Sequence, residues 1–271
     1  MQQRRGRVLE YGVILLLMEL FNVGLTNVPP ITLIAILGQV GLYTGIINVS
    51  WDKWDVCLNA KTIMKQREYR RMLLSAVEHS DDMHLYYNML SLLIKGRTLE
   101  RRMGSKNFVL LLFILTVLTS SIYVGLGWAC TNLLDDGYYM KSCAIGFSGV
   151  LFALKVLTSE EQSTAMRYAV WTELIVIYLL VPGSSFMGHL AGILAGLTFS
   201  KTRLGTAMKK IMEFLTGDSV DGNSSSSSHY SSNSQQSYYS SSYRHSPGPS
   251  YFSQNTYNRH RNAPPYGWNI G

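Results

Sequence analysis

Charge is scarce in this sequence and confined to particular stretches. Charged residues make up 15% of the chain and hydrophobic ones 47%, where an ordinary soluble domain carries about 25% charge. Mean hydropathy is nevertheless only +0.08. That average hides two unlike parts: long apolar runs fill residues 1–200, and almost none follow residue 217. A membrane domain joined to a polar tail explains the split better than one soluble domain does. Cysteine is also rare, with three in the chain: Cys57, Cys130 and Cys143. None forms a CxxC or a histidine-flanked pattern, so no metal site and no metal cofactor are expected. Cys57 with Cys130, or Cys130 with Cys143, can pair if their loops face an oxidising lumen; the alternative is three free thiols, and spacing does not choose. No small-x-small cleavage site follows the apolar stretch from Tyr11, so the N-terminal segment reads as retained.

The formal charge of +7 comes in clusters: Arg4, Arg5 and Arg7; Arg97, Arg101, Arg102 and Lys106; Lys201, Arg203, Lys209 and Lys210. Each cluster flanks an apolar run. That suits cytosolic membrane ends and the lipid bilayer as partner, not nucleic acid.

A helix needs roughly 20 apolar residues to cross a bilayer. Candidate spans are Pro30–Val49, Met83–Leu99, Phe108–Trp128, Cys143–Leu157, Tyr168–Val181 and Ser185–Ser200. Several are short, which a bundle interior tolerates. The expected fold is therefore all-α, a polytopic membrane helix bundle. Tyr11–Leu25 reads as an amphipathic interfacial helix broken at Pro29-Pro30, with a seventh span as the alternative. The basic loop 97–106 and both basic flanks place the termini in the cytosol, and the acidic loop with Asp135 and Asp136 outside it. Cys57–Leu74 is expected in the outer headgroup layer. The expected organisation is 1–28 as an N-terminal cytosolic end with the interfacial helix, 29–200 as the membrane domain, and 201–271 as a cytosolic tail. Its Ser/Tyr-rich stretch from Gly217 cannot bury a core and is expected to be disordered.

Polar residues inside apolar spans are costly, so they point to chemistry or to packing. Ser148 lies in Gly146-Phe147-Ser148-Gly149. Alone, such a motif occurs by chance and reads as a small-residue packing surface. His189 lies in Gly188-His189-Leu190-Ala191-Gly192, where glycines 188, 192 and 196 make a smooth ridge for close helix packing. Alone, it reads equally well as a satisfied structural histidine. Together the two fit a nucleophile and its base, because a serine hydroxyl needs a proton acceptor within hydrogen-bond reach. No third acid is visible, so a dyad is expected. His84 and Asn88 share one helix face and offer donors for an oxyanion; capping and interhelical bonding are the ordinary alternatives. His79 is expected in a loop.

His84-x-x-x-Asn88, Gly146-Phe147-Ser148-Gly149 and Gly188-His189-x-x-Gly192-x-x-x-Gly196, in this order, resemble the rhomboid family of intramembrane serine proteases. Glu100-Arg101-Arg102-Met103-Gly104 is similar to that family's cytosolic turn after its second span. The resemblance covers residues 30–200. It implies a six-span rhomboid core, a Ser148–His189 dyad, and an oxyanion site of His84, Asn88 and the Ser148 backbone. It further implies that Phe152 stacks on His189 and that Gly146, Gly149, Gly188 and Gly192 support the site. No cofactor is implied. The partners implied are transmembrane or unstable membrane-protein substrates, cut near the lumenal face, in quality control at the endoplasmic reticulum. The alternative function is a non-catalytic rhomboid-like membrane-protein binder. Tyr69-Arg70-Arg71 stands where many rhomboids carry Trp-Arg. Ubiquitin and an AAA segregase are known tail partners in the family, but no acidic ubiquitin-interacting helix or arginine-rich segregase motif follows Lys210, so neither is expected here.

Overall fold

The computed structural model describes residues 10–159, 164–181 and 183–221. The Ser/Tyr-rich tail, assigned above to disorder from Gly217, lies outside the described residues from residue 222 on. Apart from one antiparallel bridge between Leu58 and Ala144, the described residues are helices and their connections.

Helix α5 (Asp82–Met103) is the axis of the first half. Asp81 caps it by accepting the His84 N–H at 2.8 Å, and Gly104, at φ +81°, turns the chain into α6 (Ser105–Leu134). α6 is the one described helix that is long and apolar enough by itself to cross a bilayer. Helices α1 (Tyr11–Val23) and α2 (Pro30–Thr44) form a hairpin on α5. α1 does not lie across the end of the bundle. Its Gly12 N–H donates to Asp82 at the start of α5, and the Asn27 carbonyl after it accepts from Arg101 at the far end. Buried Val13, Leu16 and Leu20 give α1 one face against α5. α2 then returns: Thr32 meets Glu100 at one end, and Tyr43 donates to Glu10 at the other, at 2.6 Å. α1 therefore runs lengthwise along α5. Glu100 accounts for the turn. Its carboxylate accepts the Ile31 and Thr32 N–H groups at 2.9 and 2.8 Å, satisfying donors that the first turn of α2 leaves open.

The short helices α3 (Ala60–Gln66) and α4 (Arg71–Val77) pack on α6. α7 (Tyr138–Lys141) closes the α6 end, and α8 (Ser148–Ser159) enters the bundle between α5 and α10 (Phe186–Lys201). α9 (Thr164–Leu180) leans on α8 through Phe152, Val156, Val170 and Leu174 and through a Lys155–Glu173 ion pair. α10 meets α8 backbone to backbone. A Cβ on Gly192 would come 2.0 Å from the Gly149 carbonyl oxygen, and one on Gly196 would come 2.8 Å from that of Ala153.

Ordered structure continues past residue 200, where the membrane domain was expected to end. Helix α11 (Arg203–Thr216) packs on α6 and α10. Asn107 fixes its end by accepting from the Thr216 hydroxyl at 2.9 Å and donating to the Asp218 carbonyl at 3.1 Å.

The cysteine expectation is corrected. Cys57 pairs with Cys143, and Cys130 is free. Neither pairing considered above occurs, because the Leu58–Ala144 bridge sets Cys57 beside Cys143, with a Cα–Cα distance of 5.6 Å.

Candidate active site

Ser148 is the first residue of α8. The first-turn N–H groups of a helix have no intrahelical acceptor, so the backbone at Ser148 and Gly149 offers donors beside the hydroxyl. Across the α8–α10 contact, His189 Nε2 lies 2.9 Å from Ser148 Oγ. The glycine ridge makes this distance attainable: with Gly192 against the Gly149 carbonyl, the helix backbones come close enough for a one-carbon side chain to reach an imidazole. His189 is buried, and among the described residues its Nδ1 has no partner, so no carboxylate there orients the ring. Phe152 lies on it instead, with ring centroids 4.7 Å apart and an interplanar angle of 32°.

The other side of the site comes from α5. Gly146 has φ +118°, and a Cβ there would stand 2.7 Å from His84 Nε2 and 3.6 Å from Asn88 Nδ2. Only glycine fits this backbone against that ring. Asn88 is buried, and its Nδ2 donates to nothing among the described residues. A buried amide donor without an acceptor is costly, and this one borders the loop that carries Ser148. His84 is set by its neighbours. Ser80 Oγ lies 2.6 Å from Asp81 Oδ2 and 2.9 Å from His84 Nδ1. A hydroxyl has one proton. Ser80 gives it to the Asp81 carboxylate, while the Ser80 N–H points at His84 Nδ1 at 3.5 Å; where Nδ1 accepts, neutral His84 carries its own proton on Nε2, the nitrogen facing Gly146.

His79 sits between α4 and α5, buried edge-on to His84 with centroids 5.1 Å apart. Burial, and then the neighbouring His84 charge, push its imidazole down to about 3, so it stays neutral.

The structure thus brings every sequence-derived site residue into one region: Ser148, Gly149, Phe152, Gly188, His189 and Gly192 at the helix contact, and His84, Asn88 and Gly146 beside it. The sequence reading missed a cavity of about 40 Å³ behind Ser148, whose lining includes Thr116, Thr119, Ser120 and Ser185. At roughly 10–15 Å³ per water it holds a few molecules. Thr119 Oγ1 is buried there without a partner among the described residues. The signal was present in α6: Thr116, Thr119, Ser120 and Tyr123 recur at helical spacing, a polar stripe inside an apolar span.

Comparison with known proteins gives the family. Residues 66–205 match the rhomboid domain family. The chain is 41% identical over 225 residues to human Rhomboid-related protein 4, covering 79% of this chain and 69% of that one. It is 40% identical over 159 residues to Rhomboid-like protein 14, mitochondrial, of Arabidopsis thaliana, covering 55% and 48%. Rhomboid-type serine protease 2 of Yarrowia lipolytica is 27% identical over 159 residues, covering 54% and 50%. The chain belongs to the rhomboid family, whose members are integral membrane proteins.

Proposed function

We propose that this protein is an intramembrane serine endopeptidase with a Ser148–His189 dyad. The 2.9 Å contact between Ser148 Oγ and His189 Nε2, inside an apolar bundle, carries the reading. His189 accepts the Ser148 proton as Oγ attacks a scissile carbonyl, then returns it to the leaving amine. The developing oxyanion meets the first-turn N–H of α8, Asn88 Nδ2 and His84. Water from the cavity behind Ser148 then hydrolyses the acyl-enzyme, again with His189 as base. Substrates are transmembrane or unstable membrane proteins whose backbone is extended at the site, since helical carbonyls are already bonded. A fluorophosphonate probe is expected to label Ser148 in the wild type and not in Ser148→Ala; an unlabelled but folded wild type would favour the non-catalytic binder.

The oxyanion roles make a separate prediction. Asn88→Ala is expected to lower kcat by on the order of a hundredfold with little change in KM. His84→Ala is expected to act similarly, and the double variant to lose less than the product, because both groups serve one oxygen. A KM rise at constant kcat would assign them to substrate binding instead.

The membrane domain comprises the rhomboid core, residues 29–200, with α2, α5, α6, α8, α9 and α10 crossing. The lengthwise course of α1 supports a seventh crossing, with Glu10 at the Ser148 end. This runs against the charge bias of Arg4, Arg5 and Arg7, but that bias is statistical. An N-glycan acceptor fused ahead of Met1 is expected to be glycosylated in cells; an unused acceptor there, with one placed in the Asp135–Asp136 loop used, would return the N-terminus to the cytosolic side. A disulfide at the Ser148 end supports an oxidising lumen, and so the endoplasmic reticulum as the compartment and quality control as the setting.

A further inference from the structure

We infer that the Cys57–Cys143 disulfide is a thiol-reducible clamp that positions the loop before Ser148, so that cleavage depends on the redox state of this one bond. The inference rests on the proposed protease function and concerns its regulation.

Residues 143–147 lead directly into Ser148, and they are held almost entirely from outside. The Ala144 N–H and carbonyl pair with Leu58 at 3.0 and 2.8 Å. The Gly146 N–H donates to the Ser75 carbonyl at 2.9 Å. Asn59 Nδ2 donates to the Lys141 carbonyl at 2.8 Å. One covalent bond ties the same two strands together, at Cys57 and Cys143. Three residues beyond Cys143, Gly146 lies against the ring edge of His84 and beside Asn88. The position of this loop therefore decides whether a carbonyl at Ser148 also meets the oxyanion donors. The segment has no helix of its own to hold it, and a two-residue bridge is marginal in water without further support. The disulfide is that support.

The bond is also asymmetric. Cys143 is exposed, whereas Cys57 is buried. An attacking thiolate therefore reaches the Cys143 sulfur, and the electron pair of the S–S bond leaves on Cys57. There the Arg71 guanidinium, its Nε paired with Glu68 at 2.6 Å, turns Nη1 to 3.9 Å from Cys57 Sγ and 3.1 Å from its carbonyl oxygen. A cation beside the departing sulfur stabilises its thiolate and speeds exchange. The resulting mixed disulfide on Cys143 is resolved by a second thiol of the reductant. In balance, two reductant thiols become one disulfide, and Cys57 and Cys143 become two thiols. A bond serving stability alone needs neither an exposed sulfur nor a cation behind the other.

The test uses full-length protein carrying Cys130→Ala, to remove the free thiol, in proteoliposomes with a cleavable transmembrane substrate. Oxidised protein is titrated with a dithiol, and kcat, KM and the rate of Ser148 labelling by a fluorophosphonate are measured per folded molecule. Reduction is expected to lower kcat and the labelling rate together, on the order of tenfold to a hundredfold for a small displacement of the loop. KM is expected to change little, and reoxidation with glutathione disulfide to restore both rates. Cys57→Ser/Cys143→Ser is expected to show the reduced rates at every dithiol concentration. Unchanged kcat on verified reduction of the bond overturns the clamp. A drop in thermal stability with an unaltered labelling rate assigns the bond to stability alone and also overturns it. An oxidised protein that neither labels nor cleaves fails the protease reading itself, a different result from an active enzyme indifferent to dithiol.

Discussion

Replacing Ser148 with alanine is expected to abolish cleavage of a labile transmembrane substrate in proteoliposomes, a loss on the order of 10⁴-fold or more in kcat. His189→Ala is expected to cost about as much, and the double variant no more than either alone. In the proposed mechanism the two groups act as one unit: the hydroxyl attacks only as the imidazole takes its proton. Among the described residues His189 has no third group behind it, because its Nδ1 is unpartnered and Phe152 covers the ring. Removing either member therefore leaves nothing for the other to do. Ser148→Ala deletes one oxygen from a half-buried position, so the fold should persist. Unchanged product with this variant would end the hydrolytic reading.

Gly192→Ala is expected to be nearly as damaging by a different route. The added Cβ would stand 2.0 Å from the Gly149 oxygen, 2.7 Å from its carbonyl carbon and 3.0 Å from its Cα. All three are backbone atoms, so no side chain can swing aside. α8 and α10 must part by roughly 1 Å, and a displacement of that size at reacting atoms costs on the order of 10² in rate. The Ser148–His189 contact bridges these same helices and would lengthen with them. Cleavage should fall at least a hundredfold, with a lowered unfolding temperature, since overpacking costs about 1–3 kcal/mol. Gly125→Ala in α6 is the control: its Cβ would meet nothing within 4 Å, and activity should be unaltered.

The Ser148–His189 contact was legible because each member sits in a local pattern that spacing exposes. Glycines four residues apart announce a close helix contact, and a polar side chain beside them in an apolar run demands a partner. The stack of Phe152 on His189 followed from family resemblance, and the rings do meet. The disulfide was not legible. Cys57 and Cys143 are 86 residues apart, and only the Leu58–Ala144 bridge brings them together. Nothing in either loop's composition encodes that register. The course of α1 was hidden for a related reason. Hydropathy measures what a segment is made of, whereas its direction comes from single contacts at its ends, Gly12 with Asp82 and Asn27 with Arg101. The polar stripe of α6 was visible in the sequence, but its apolar surroundings dominated the reading of that helix as a span.

Two adjacent side chains, Glu100 and Arg101, hold both limbs of the α1–α2 hairpin at its turn, the first through Ile31 and Thr32, the second through Asn27. Their partners are 68 to 74 residues away along the chain. During translation the hairpin emerges long before either side chain exists, so its open amides and carbonyl must be served by water or headgroups in the meantime. Completion of the N-terminal third therefore waits for the end of α5 to leave the ribosome. A nascent chain stalled before Glu100 should carry a hairpin that is exposed to protease at its turn, and protected once Glu100 and Arg101 have left the ribosome.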